Sequence, residues 1–251
     1  MPWVESPTPG FRLRHSSAQA AEARRLLETL ERTRARLAPH FPRPLPEVAV
    51  VLHDSRPSLL LARPHLALGW ASAGPAARRY VTGSAGPTEI HVLAGPALRA
   101  RASAVPGSLE MLELSAAALY ARQVVVANNR ELQAAAGAVR PALALRWAWL
   151  LEGAARWFAG QTAHARPAIA RRLREGRPPS FPPGLRDAPL LGGTVVDLVA
   201  REAGEAAAAR LARRLHAGGA QAALARAFGG RSLVHTEGAW RSHLARLAGA
   251  S

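Results

Sequence analysis

The residues with the clearest chemical potential lie between Arg146 and Gln161, R-W-A-W-L-L-E-G-A-A-R-W-F-A-G-Q, where one carboxylate, Glu152, stands among aromatic and aliphatic side chains. A carboxylate in such surroundings can serve as an acid, a base or a metal ligand. To bind a divalent metal it needs partners, such as two imidazoles at i,i+4 on a second helix, which share one face and reach one ion. No such pair exists. The histidines are His15, His40, His53, His65, His91, His164, His216, His235 and His243, so none falls between His91 and His164. His235 and His243 stand too far apart for adjacent turns of one helix. We therefore expect no metal site and no cofactor.

Other residues compete for a role beside Glu152. Tyr120 and His91 are candidates for the same cleft, as are Trp149 and Glu113. Each also has an ordinary reading: Glu113 and Glu110 as solvated helix positions, His91 as a packed, hydrogen-bonded side chain, and Trp147, Trp149 and Trp157 as core. Glu152 itself could simply pair with Arg156 at i,i+4. Gly192-Gly193-Thr194 reads as a helix start, offering either a cap or backbone N–H groups to an anion. There is no cysteine and no Gly-x-Ser-x-Gly word, which removes thiol chemistry and one common serine-nucleophile arrangement.

The elements that must position these residues are mainly helical. Hydrophobic residues make up 49% of the 251, carried largely by Ala and Leu, and with Arg these favour helix. The chain suits one domain, 1–251, with an N-terminal helix and small sheet (1–107) leading into a helical lobe (108–251). Ser16 and Ser17 cap a helix to about Leu37, and Pro39 to Pro46 ends it. Glu47 to His53, Arg79 to Thr82 and Glu89 to Leu93 read as short strands. Ser108 to Val126 and Leu143 to Ala159 read as long helices, and His164 to Arg174 as a basic one. The order is α+β, predominantly helical.

The chain carries 33 basic residues against 17 acidic ones, a net charge of +16, and every one of the basic residues is Arg. GC-rich codon usage accounts for Arg in place of Lys, but not for the excess of cations, which would attract nucleic acid or an acidic partner. Arg166, Arg171, Arg172, Arg174 and Arg177 form the densest basic cluster and the expected basic surface. Neither a signal peptide nor an apolar membrane span is visible, so the expectation is a cytoplasmic protein with no membrane partner.

Taken in order, several words resemble the peptidase MA-like, minigluzincin-type zinc metallopeptidases. L-P-E-V-A-V-V-L-H (Leu45 to His53) is similar to their first strand, and E-I-H-V-L (Glu89 to Leu93) to the edge strand beside the substrate cleft. R-W-A-W-L-L-E-G-A-A-R-W-F (Arg146 to Phe158) is similar to their glutamate helix, and E-G-A-W-R-S-H-L (Glu237 to Leu244) to their terminal helix. The resemblance implies a zincin-like scaffold, with a small mixed or mostly antiparallel sheet packed on the Ser108–Val126 and Leu143–Ala159 helices. It also implies that His-Glu-x-x-His is replaced on the first of these by residues such as Ser115, Ala116, Ala117, Ala118 and Leu119. The expectation that follows is a catalytically inactive, peptidase-like binding or scaffolding protein. Glu152 would be a relic ligand, and an extended peptide would dock on the Glu89–Leu93 edge. The alternatives are binding of nucleic acid or an acidic partner through the Arg-rich surface, and a hydrolase with a non-standard site that includes Glu152.

Overall fold

The computed structural model describes residues 3–249, which form a mixed α/β fold, 61% helical, around one five-stranded sheet. The chain begins with a hairpin of β1 (Trp3–Pro7) and β2 (Phe11–Ser16). In β2 the alternation F-R-L-R-H buries Phe11, Leu13 and His15 and sends Arg12 and Arg14 outward, the period of a strand with one covered face. Ser16 and Gln19 close a capping box over a short 3-10 turn, and α1 (Ala20–Leu37) follows with Leu27, Leu30 and Leu37 turned inward. It carries the chain over to β3 (Val48–His53), parallel to β2.

Three short helices, α2 (Arg56–Ala62), α3 (Leu66–Ser72) and α4 (Pro75–Arg78), precede β4 (Gly83–Ala85) and β5 (Glu89–Leu93). The spatial order is β1-β2-β3-β5-β4, parallel at its centre and antiparallel at both ends. Glu89–Leu93 is therefore not the sheet edge that the sequence led us to expect. It is bonded on both sides, and the edge is β4, a Gly-Ser-Ala segment without the β-branched residues that would have marked it. The strand expected at Arg79–Thr82 is displaced in the same way, since regular pairing begins at Gly83.

The helical part comprises α5 (Gly95–Arg101), α6 (Ser108–Glu113), α7 (Ser115–Asn128), α8 (Arg130–Ala134), α9 (Val139–Arg146), α10 (Ala148–Phe158), α11 (Arg166–Leu173), α12 (Ala188–Ala203), α13 (Glu205–Ala212), α14 (Gly219–Ala227) and α15 (Leu233–Ala248). The two long helices expected from the sequence are each broken, at Leu114 and at Trp147. Helix α7 is apolar on nearly every side and is accordingly buried between α1 and the sheet on one flank and α10 on the other. Helix α10 packs on α7 and α12, one layer away from the sheet, so only α7 backs the strands as expected.

The α10–α12 crossing explains the two adjacent glycines. A Cβ at Gly192 would lie 2.2 Å from the Trp149 carbonyl oxygen, and one at Gly153 would lie 2.3 Å from the Gly192 carbonyl carbon. Only glycines let these two backbones approach so closely. Gly192, Gly193 and Thr194 are thus buried inside α12 and do not form a helix start or an anion nest. Asp197 of α12 ties three helices together. It accepts hydrogen bonds from Trp157 Nε1 (3.0 Å) and Arg201 Nε (2.9 Å) and pairs with His243 Nε2 of α15 (2.8 Å). Burial alone would raise this carboxyl, yet the His243, Trp157 and Arg201 contacts hold it at about 2. Among the described residues no helix is long and apolar enough to cross a membrane.

Candidate functional site

Helices α7 and α10 form the floor of a cavity of about 740 Å³. On α7 the lining residues are Ser115, Ala118, Leu119 and Arg122, spaced three and four apart so that they share one face. On α10 they are Ala148, Leu151, Glu152, Ala155 and Arg156, on the same pattern. Strand β4 forms one wall, with Thr82 leading into it, while α3, α9 and the Leu185–Pro189 segment close the others. The volume lies in the range typical of ligand pockets. Leu68, Leu145 and Leu185 stand at the rim, each at least half exposed, an apolar border of the kind that marks binding sites.

Of the cleft candidates Glu152, Trp149, Tyr120, His91 and Glu113, Glu152 is the one that reaches this cavity. Its Oε1 accepts a hydrogen bond from Arg122 Nε at 2.5 Å, both side chains being partly buried, so its partner is Arg122 across the helix interface and not Arg156 one turn along. Arg156 is buried and donates from Nη1 to Gln161 Oε1 at 2.6 Å. Gln161 in turn donates to the Met111 carbonyl at the end of the preceding α6 turn. Arg156 Nε has no partner, and burial works against the guanidinium's charge, with Glu152 opposing that effect. Ser115 Oγ, on the α7 face that lines the cavity, is likewise buried without a partner; Thr82 Oγ1 and Ser84 Oγ are also unpartnered, but Ser84 stands opposite His91 and so turns its hydroxyl to that side of the sheet. Orphaned polar atoms are rare in native proteins, and here two, Arg156 Nε and Ser115 Oγ, sit on the cavity-lining faces of the two floor helices.

The other sequence candidates lie elsewhere. Tyr120 points away from the cavity, stacks edge-on against Phe11 at 4.8 Å and lines a separate space of about 430 Å³ beside α1. One residue beyond Leu119, it is turned about 100° further around α7, off the face that lines the cavity. His91 lies behind the sheet, where its Nδ1 is 2.9 Å from His53 Nε2 and its Nε2 is 3.5 Å from Glu89. Ile90 and Val92 are buried and alternate with it, so the pleat turns His91 toward the other side. Burial lowers His53 to about 4, and the nearby His91 adds to the effect; burial also lowers His91. Trp149 is core, 6.2 Å from Trp147, and Glu113 is exposed outside the cavity.

The basic cluster is also less continuous than its sequence. Arg166, Arg171, Arg174 and Arg177 are exposed, but Arg172 is buried in a two-point contact with Asp187 at 2.6 and 2.7 Å, so it does not belong to a basic surface. Arg122 and Arg156 are the functional candidates that the sequence reading passed over. The available signal was that Arg122 is the sole charge on α7.

These residues do not suit a zinc ion. The Glu152 carboxylate is engaged by Arg122, and His65, exposed at the start of α3, is the single imidazole in the lining. Among the described residues no three His, Cys, Asp or Glu side chains are grouped to hold a metal. Comparison with models of known families, with curated proteins and with solved structures returned no match.

Proposed function

We propose that the chain is a metallopeptidase-like domain of the zincin type whose metal site has been replaced by an ion pair, and that its cleft binds an extended peptide without cleaving it. The observation that carries this reading is the Arg122–Glu152 contact. Ala118 and Arg122, four apart on α7, occupy the cavity face where two imidazoles would stand opposite the α10 carboxylate. A guanidinium at the second position gives Glu152 a fixed positive partner, a role that a metal would otherwise fill. Water activation by zinc needs about three protein ligands and an open position, and one carboxylate already paired to arginine does not supply them.

The peptide-binding part of the reading rests on β4. Thr82 and Gly86 bond β5, through Leu93 N–H to Thr82 O and Gly86 N–H to Glu89 O. By the alternation of an antiparallel ladder, the main-chain groups of Gly83 and Ala85 face the free edge, and both residues line the cavity. An extended peptide added there would gain main-chain hydrogen bonds and place alternate side chains over the apolar floor.

Ala85→Pro tests this reading, because proline at an edge removes an outward donor and spares the β5 ladder. Anisotropy with fluorescein-labelled octapeptide pools should give binding to the wild-type protein that falls about tenfold or more in Ala85→Pro, with the melting temperature preserved. Unchanged binding would remove the strand-edge assignment. Cleavage of the pool by zinc-loaded protein, lost in Glu152→Gln, would overturn the inactive-peptidase reading.

A further inference from the structure

The charges in the cavity do not balance. Its lining contains Arg122, Glu152, Arg156 and the exposed His65. Glu152 is hydrogen-bonded to Arg122 and acts on Arg156 only through space, which leaves Arg156 as a buried guanidinium whose sole side-chain hydrogen bond among the described residues is to a neutral amide. Arg172, the other deeply buried arginine of this half, has a carboxylate on two of its nitrogens. Arginine does not escape such a position by losing its proton, and burying an unpaired charge is among the costliest arrangements a fold can contain. Arg156 Nε points to no acceptor of the protein, and Ser115, one turn past the Met111 carbonyl that anchors Gln161, has a free hydroxyl on the same cavity. These are donors awaiting an anionic acceptor.

The rest of the lining sets the company that anion keeps. Ala118, Ala148, Ala155, Leu119 and Leu151 make an apolar floor, and the rim is leucine. A bare inorganic anion would gain nothing from that surface, whereas a carboxylate attached to an apolar body would use both parts. The free edge at Gly83 and Ala85 adds main-chain donors and acceptors, the feature that selects a peptide over a simple acid. Building on the peptide cleft described above, we propose that the cavity binds the carboxy-terminal end of a peptide, its free α-carboxylate seated on Arg156 and its apolar last side chain on the alanine floor. The carboxylate supplies the acceptor that Arg156 lacks, and Thr82 and Ser84 border the path along β4 by which the chain arrives.

The test compares two fluorescein-labelled octapeptide pools ending in leucine, one with a free carboxyl terminus and the other amidated, by anisotropy on the wild-type protein. The free acid is expected to bind about tenfold or more tightly than the amide, the scale of one desolvated charge-assisted contact. Arg156→Gln should bring that ratio to about one, and Ser115→Ala, which removes an unbonded hydroxyl and so spares the fold, should reduce it severalfold. Equal affinity of acid and amide for the wild-type protein overturns the carboxylate assignment whether or not Arg156→Gln folds. In that case the broader cleft reading still stands if binding depends on the β4 edge, as Ala85→Pro reports. Octanoate binding without peptide binding would overturn the peptide assignment and give the subsite to a free acid. A preference for the acid that survives in Arg156→Gln would overturn the role of Arg156.

Discussion

If the Arg122–Glu152 pair stands where a metal site would be, two substitutions should create one. Ala118→His with Arg122→His puts two imidazoles at i,i+4 on the α7 face that meets Glu152. The geometry can be worked out in advance. Tetrahedral zinc with bonds of about 2.0–2.1 Å requires ligand atoms about 3.3 Å apart. Arg122 Nε now stands 2.5 Å from Glu152 Oε1. An imidazole nitrogen at position 122 would arrive within about an ångström of that site, so Glu152 has to withdraw by less than about 1 Å, a change within rotamer freedom. Zinc at about a hundred times its dissociation constant would stabilise the double variant by about 2.7 kcal/mol, and for a chain of this length that is a rise of roughly 5–11 °C in melting temperature. The assay is differential scanning fluorimetry with and without zinc, followed by metal analysis after dialysis. The shift should vanish when Glu152→Gln is added. A double variant that folds but takes up no zinc, or whose zinc is indifferent to Glu152, would refute the proposed register and with it the argument that an ion pair replaced the metal.

Two further outcomes follow from other parts of the molecule. Gly192→Ala should destabilise the protein by about 1–3 kcal/mol despite alanine's better helix propensity, because its methyl meets the Trp149 carbonyl at 2.2 Å; Gly238→Ala, on α15 with nothing within 4 Å, should stabilise it by up to about 1 kcal/mol, and chemical denaturation distinguishes the two signs. The His53–His91 pair is kept neutral, and because His53 is depressed to about 4 the unfolded chain takes up more protons between pH 6.5 and 4. Stability should therefore fall as pH drops through that window, by about 2 kcal/mol after allowing for solvent screening, with Asp54, Glu89 and Arg63 as the charged neighbours; His53→Asn should flatten the dependence measured by urea denaturation at pH 7, 5.5 and 4.5.

Where the sequence was informative, local chemistry and tertiary placement agreed. The β-branched run of β3, the E-I-H-V-L run of β5 and the capping residues before α1 specify their elements because nothing in the surrounding fold contradicts them. The hairpin of β1 and β2 escaped notice although Phe11, Leu13 and His15 alternate, since Pro7, Pro9 and Gly10 dominate a local reading. Edge and centre are different in kind. They depend on which strand inserts between two others, a non-local fact, and so Glu89–Leu93 could be recognised as a strand while its place in the sheet could not. The same limit applied to Glu152. Its helix was legible, but the choice between Arg156 at i,i+4 and Arg122 on another helix is made by the α7–α10 interface alone. Arg122 and Arg156 became candidates only when the fold brought each to one cavity.

The electrostatics of that cavity link the two proposals, a replaced metal site and a bound carboxylate. Apart from the exposed His65, the lining carries two guanidinium groups and one carboxylate, a net charge of +1 in a space where apolar walls keep the local dielectric low. A divalent cation entering there would meet one carboxylate already neutralised by Arg122 and a second, unpaired guanidinium on the same helix as its ligand. On this reading the field that would repel zinc is the field that would draw in a carboxylate; Arg122 and Glu152 cancel, and Arg156 sets the sign. Replacing Arg122 by histidine removes one positive charge and frees Glu152, which is why the zinc-creating variant should also lose affinity for the free-acid peptide. Metal uptake and carboxylate binding are therefore predicted to change in opposite directions across the same substitutions. Two independent sites would give no such correlation, so measuring both on one set of variants tests whether the cavity acts as a single electrostatic unit.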